Sequence, residues 1–162
     1  MSRAEILDYA AKLARTQPGG TLATTHAEDA TPYVTFVLFH LRDDGRVLFG
    51  SAEQPQHTRN ILATPEVSFL VDNRDVIREE WTAFDRVVIE GSAARIQPED
   101  PRFDGLLAEL GEKNKMAAFF TEHGQLFCIE PRRMVLMRGF EPHRHIVEFA
   151  AGPGLPWPPP EV

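Results

Sequence analysis

The sequence predicts a mainly β fold with helices inserted between the strands, a small, mainly antiparallel barrel with helical covers. Three observations carry this reading. Short β-prone runs recur between Thr21 and Phe149, set apart by turn or helix signals. Amphipathic helical patterns stand before and between those runs. The most β-prone run, Tyr33 to Leu41, is apolar on both of its alternating faces. A strand open to water on one side would show one polar face. One face should therefore enter a barrel core, and the other should be covered by a second subunit or a ligand.

The elements follow in order. Ser2 and Glu5 form a capping-box pattern. Ile6, Leu7, Ala10, Leu13 and Ala14 then place an apolar stripe on one helix, ended by Pro18, Gly19 and Gly20. Thr21 to Thr25 is a short strand. Tyr33 to Leu41 is read as one strand, turned at Asp44 and Gly45 into its hairpin partner, Arg46 to Gly50. Pro55 suits the first position of a helix running to Ala63. Glu66 to Val71 is the next strand, and Asp72 to Glu80 is a charged loop or hairpin tip. Arg86 to Ile96 is a long strand with a bulge or bend expected at Gly91. Asp100 and Pro101 start a helix with Phe103, Leu106, Leu107 and Leu110 on its apolar face, and Lys115 to Phe120 is a second helical piece. Gln125 to Glu130 and Arg132 to Arg138 read as strand, broken or bent at Pro131; His145 to Phe149 adds a short final strand. The count is about six strands. Residues 1–150 make one domain, and 151–162 form a proline-rich arm around Trp157 that is either frayed or docked.

Composition narrows the function. The chain has 162 residues, 43% of them hydrophobic, enough for one substantial core. No apolar run approaches the length of a membrane span, and the first residues lack the features of a signal peptide. The single cysteine, Cys128, sits between Phe127 and Ile129 as a buried strand residue and fits a reducing cytoplasm. A formal charge of −7 argues against a general nucleic-acid binder. There is no dinucleotide fingerprint, P-loop or nucleophile elbow, and one cysteine excludes a multi-cysteine zinc site. His143 and His145, with Glu141 and Glu148 nearby, lack a third close metal ligand and read as surface or hydrogen-bonded residues. His26 reads as solvated beside Glu28 and Asp29, and His123 as a helix C-terminal residue.

One polar cluster remains. Ser51 ends a strand, and Gln56, His57, Thr58, Arg59 and Asn60 open the next helix. Unpaired N–H groups at a helix start carry partial positive charge and accept a phosphate. His57 and Arg59 can add charge, and Ser51 and Thr58 add hydroxyl donors. The alternative is a solvated helix end with ordinary polar residues.

At these residues the sequence resembles a known family. The runs Gly45-Arg-Val-Leu-Phe-Gly-Ser51, His57-Thr-Arg-Asn-Ile-Leu62 and Pro65-Glu-Val-Ser-Phe-Leu-Val71 are similar to the pyridoxamine 5′-phosphate oxidase-like superfamily of flavin-binding split barrels. Gly20-Thr-Leu-Ala-Thr24 and Pro32-Tyr-Val-Thr-Phe-Val-Leu38 fit the same pattern, which looks most like the haem-utilisation branch. The resemblance covers roughly residues 5 to 140. It implies a six-stranded antiparallel split β-barrel with peripheral helices, binding FMN where two subunits of a homodimer meet. Thr35, Phe36 and Val37 would line the flavin ring. Gly50 and Ser51 would sit beside the ribityl chain and phosphate, with Gln56 and His57 at the phosphate. Thr58 and Asn60 would add polar contacts, Asn60 alternatively anchoring the helix. The function implied is a flavin-dependent oxidoreductase acting on a small molecule, with no residue singled out as catalytic. His40 is a possible proton donor. Alternatives are a haem-binding or haem-degrading protein, with His143 or His145 as axial ligand, a non-catalytic flavin module, and a deazaflavin coenzyme in place of FMN. Thr35 stands where the oxidases carry an arginine, and Gln56 replaces another basic residue. Trp157 and Arg144 do not reproduce the oxidases' substrate-binding pair, so pyridoxamine phosphate oxidation is not expected.

Overall fold

A computed structural model of the chain describes residues 1–52, 55–122 and 124–150. The readings of His123 and of the arm 151–162 fall outside them. Helix α1 (Arg3–Arg15) starts as its sequence dictates: Ser2 Oγ accepts from the Glu5 N–H, and the Glu5 carboxylate accepts from the Ser2 N–H at 2.6 Å. Among the described residues eight strands follow: β1 (Gly20–Thr25), β2 (Pro32–Val37), β3 (Phe39–Leu41), β4 (Val47–Ser51), β5 (Glu66–Asp72), β6 (Arg86–Ile96), β7 (Gln125–Met137) and β8 (His145–Glu148). Helix α2 (Gln56–Ala63) lies between β4 and β5, while α3 (Phe103–Lys113) and α4 (Lys115–Glu122) lie between β6 and β7.

Every pairing is antiparallel, in the order β2-β1-β5-β6-β7-β4-β3, with β8 added to β7. The long β7 is the hub. Gln125 to Ile129 pair with β4, and Arg133 to Leu136 pair with β8. The curl of the sheet brings β2 back beside β4, though the two are not joined in the ladder. That gap is the split of a split barrel.

The strand count corrects the expected six. Tyr33 to Leu41 is not one strand: it breaks at Leu38, β2 pairing with β1 and β3 with β4. The chain thus passes from one end of the sheet to the other within a few residues. Two apolar faces look alike whether a strand is continuous or changes partner, so composition held no sign of the break. The expectation of one covered face stands up differently. Val37 is buried, whereas Val34 and Phe36 on the other face are each 62% exposed in the single chain. The expected bend falls at Gly91, where the β6–β7 register shifts opposite Pro131. A Cβ on Gly91 would meet the Glu130 carbonyl oxygen at 2.1 Å, so only glycine permits this approach. Pro131 therefore bends β7 without ending it.

Two apolar clusters explain the burial pattern. The larger fills the curl of the sheet with Phe39, Phe49, Phe69, Phe127 and Leu22, closed by Ile6, Ala10 and Leu13 of α1. The smaller lies on the outer face, where Leu48, Leu126 and Cys128 meet Leu106 and Leu110 of α3 and Ala117 of α4. β4 and the first half of β7 are thus covered on both sides, which is why they read as unbroken apolar runs. Burial pushes the Cys128 thiol well above its ordinary range, so it is an inert core residue. Among the described residues, no helix is long and apolar enough to cross a membrane.

Candidate functional site

The break at Leu38 and the start of α2 shape one cavity. Pro55 caps α2 without offering a side-chain acceptor. The helix then runs away from the end of β4, leaving a hollow of about 410 Å³ at the split between β2 and β4. Phe36, Val37 and Leu38 form one wall; Gly50, Ser51 and Ala52 at the end of β4 form another. Pro55 and His57 close it on the α2 side, and Ala117 of α4 forms the floor. Gly50 allows that floor: a Cβ there would stand 1.9 Å from Thr121 Oγ1 and 2.9 Å from the Ala117 carbonyl oxygen. Among the described residues, the lining is apolar apart from a hydroxyl and an imidazole.

Those two groups are linked. Ser51 Oγ lies 2.8 Å from His57 Nε2 and 2.6 Å from Thr58 Oγ1. The Thr58 hydroxyl also reaches the Ala52 carbonyl oxygen at 3.3 Å. Ser51, His57 and Thr58 are all buried, Thr58 completely. Burial holds the His57 imidazole below its ordinary pKa, since a charged ring loses hydration there. His57 is therefore a neutral ring at neutral pH.

Of the nine residues the sequence singled out, the cavity gathers Phe36, Val37, Gly50, Ser51 and His57. Thr35, Gln56, Thr58 and Asn60 are not in its lining. Asn60 is fully buried and anchors α2 to the loop after β1. Its Oδ1 accepts from the Ala27 N–H at 3.0 Å and from Gln56 Nε2 at 2.8 Å; its Nδ2 donates to Thr24 Oγ1 at 2.9 Å. Gln56 Nε2 also donates to Glu28 at 3.0 Å, on the outside of the helix. Arg59 donates to the Gln56 amide oxygen and lies 3.8 Å from the Glu28 carboxylate. Leu38, Ala52, Pro55 and Ala117 were not foreseen. The first three adjoin predicted residues, but Ala117 arrives from a distant helix without any local signal.

The remaining histidines lie elsewhere. His40 Nε2 is 2.9 Å from the Glu109 carboxylate of α3, in a separate charged corner with Arg15, Arg42 and Asp44. His145 lies 3.3 Å from Glu141. It pairs with Leu136, while Ser51 pairs with Gln125 of the same strand. At about 3.3 Å per residue, the cavity and His145 stand roughly 35 Å apart along β7. No group of three or more His, Cys, Asp or Glu among the described residues could hold a metal.

With this geometry in view, the comparisons decide the family. The profile of the pyridoxamine 5′-phosphate oxidase family matches residues 7–136. The chain belongs to that family. No curated protein matches it by sequence. Among solved structures it is similar to a heme binding protein from Mycobacterium smegmatis, with TM-score 0.76 and 20% identity over 91% of this chain and 59% of that one. It is also similar to HutZ, described as the heme storage protein of Vibrio cholerae: TM-score 0.63, 20% identity, 82% of this chain and 94% of that one. A conserved hypothetical protein from Mycobacterium tuberculosis gives TM-score 0.66 and 23% identity over 94% and 93% of the two chains. Likeness at this level establishes the split-barrel fold, and a fold does not fix a function.

Proposed function

We propose that this family member binds FMN in the cavity between β2, β4 and α2, as a homodimer, and acts as a flavin-dependent oxidoreductase on a small molecule. The carrying observation is the cavity itself: an apolar wall of Phe36, Val37, Leu38 and Ala117 ending at Ser51, His57 and a helix start whose Pro55 cap offers no side-chain acceptor. A flat ring suits the wall. A phosphate suits the other end, where a hydroxyl, an imidazole and backbone N–H groups can donate. Thr35 would support the ring from β2, and Thr58 and Asn60 would hold Ser51 and α2 in place. Gln56, already engaged by Glu28, would act on the phosphate only after releasing that contact. FMN, when bound, would supply the electron transfer, while these residues orient it and exclude water.

Exposure supports the proposed dimer. Val34 and Phe36 present an apolar strand face to water, and Phe36 also belongs to the cavity wall. A second copy laid on that face would cover both. The proposed FMN-binding unit is residues 1–150. A single, buried cysteine fits action in the cytoplasm.

The named neighbours give haem binding as the second reading. Its expected ligand His145 lies, within one protomer, at the far end of β7 from the cavity. Titration separates the two. Purified protein should quench FMN fluorescence at one equivalent per protomer and shift its visible bands. A sharp Soret band with haemin, lost in His143→Ala or His145→Ala, together with no FMN binding, would overturn the flavin reading. Riboflavin and a deazaflavin coenzyme in the same assay define which ring is preferred.

A further inference from the structure

The lining of the cavity has an imbalance. FMN carries a phosphate dianion near neutral pH, yet the described residues around this cavity include neither Arg nor Lys. β2 contributes Phe36 and Val37, β4 contributes Gly50 and Ser51, and α4 contributes Ala117. None of these titrates. On α2 itself, Gln56 is turned to Glu28, and Arg59 is engaged with Gln56 and Glu28 rather than with the cavity. Among the described residues, His57 is the one titratable side chain in the lining, and burial is the cause that lowers its pKa.

The ring is also placed to change state without disturbing the helix. Its Nε2 already meets Ser51 Oγ at 2.8 Å, and that hydroxyl has Thr58 Oγ1 and the Ala52 carbonyl within reach. Ser51 Oγ can accept from a protonated ring while its own hydrogen turns to the docked phosphate, away from Thr58 and Ala52. An anion set beside the imidazole reverses the bias of burial, because an opposite charge within about 4–6 Å favours the charged form.

We propose that His57 takes up a proton when the phosphate end of FMN docks, so that this side chain sets the pH range over which the cofactor is held. The inference rests on the flavin reading above. It makes the site selective for a phosphorylated flavin at neutral and mildly acid pH, and lets the cofactor loosen as pH rises. The proton comes from solvent and returns there on release, so no other reactant is needed.

Isothermal titration calorimetry of the full chain tests this, with FMN titrated at about pH 7.5 in buffers of different ionisation enthalpy. Wild type should take up roughly 0.5–1 proton per FMN, and affinity should rise by up to about tenfold per pH unit as pH falls. Riboflavin, which has no phosphate, should bind without proton uptake. His57→Gln and His57→Asn should bind FMN more weakly, also without uptake; circular dichroism establishes that each is folded. FMN binding without uptake in wild type overturns the proposal and leaves the flavin site standing. Uptake that persists in a folded His57 variant assigns the proton to the phosphate and likewise overturns it. Absence of FMN binding overturns both.

Discussion

The β3–β4 hairpin has a cavity at each end, and the two are built from opposite materials. At its turn, Arg15, His40, Arg42, Asp43, Asp44 and Glu109 surround about 260 Å³. At its open end, the described residues around the cavity of about 410 Å³ give it apolar walls, one hydroxyl and one imidazole. Near the turn the charges answer each other. Arg42 Nε lies 3.0 Å from Glu109, Arg46 Nε 2.8 Å from Glu130, and Arg46 Nη1 2.7 Å from Asp44. A charged ligand entering there would have to break ion pairs already made. At the open end a ring displaces only water from apolar surface. The charged corner holds the hairpin on α3 and β7, and the other, uncharged among the described residues, is the proposed ligand site.

Substitutions in each region sharpen that contrast. The largest effect belongs to the charged side. Arg46→Ala strips Glu130 and Asp44 of a buried partner and should cost about 3–5 kcal/mol in urea unfolding. An unchanged midpoint would show the network to be dispensable. Next comes the anchor behind the ligand cavity: Asn60→Ala leaves the Ala27 N–H and the Thr24 hydroxyl without their partner, for a loss of about 2–4 kcal/mol. A loss under about 1 kcal/mol would mean that water replaces the amide.

Ser51→Ala acts within the ligand cavity. FMN affinity should fall about tenfold, near 1.4 kcal/mol, because one donor at the phosphate is lost. Riboflavin affinity should change little. Equal losses for both flavins would move Ser51 away from the phosphate.

The smallest effect is a pH dependence. Burial pushes the Glu109 carboxyl up, but the hydrogen bond from His40 and the charge of Arg42 outweigh it and hold the pKa below the ordinary 4.5. Its contribution to stability is therefore present above about pH 4.5 and is lost as pH falls through the lower, folded value. Glu109→Gln should be less stable than wild type at pH 7 by about 0.5–1 kcal/mol, and the two should converge in acid. Melting temperatures followed from about pH 7 to pH 3 measure it; a gap that widens in acid would reverse the sign.

The same contrast explains what the sequence disclosed. Local chemistry was legible. The Ser2–Glu5 capping box, the Gly45 turn at φ 91° and the Gly91 bend are each specified by neighbouring residues. The polar cluster at Ser51 and His57 was legible too, since strand end and helix start adjoin in the chain. What stayed hidden depends on distant partners. Leu38 breaks its strand because β2 and β3 pair at opposite ends of the sheet. Ala117 reaches the cavity through the packing of α4 on Gly50. Asn60 reads as either a polar contact or a helix anchor, and its anchoring partners, Thr24 and Ala27, lie more than thirty residues away in the chain.

A crystal structure grown with FMN tests the central claim most directly. The account predicts a dimer, with the ring against Phe36 and Val37 and the phosphate at Ser51 and His57. A lone protomer, FMN bound elsewhere, or this hollow closed by the protein's own side chains would contradict it.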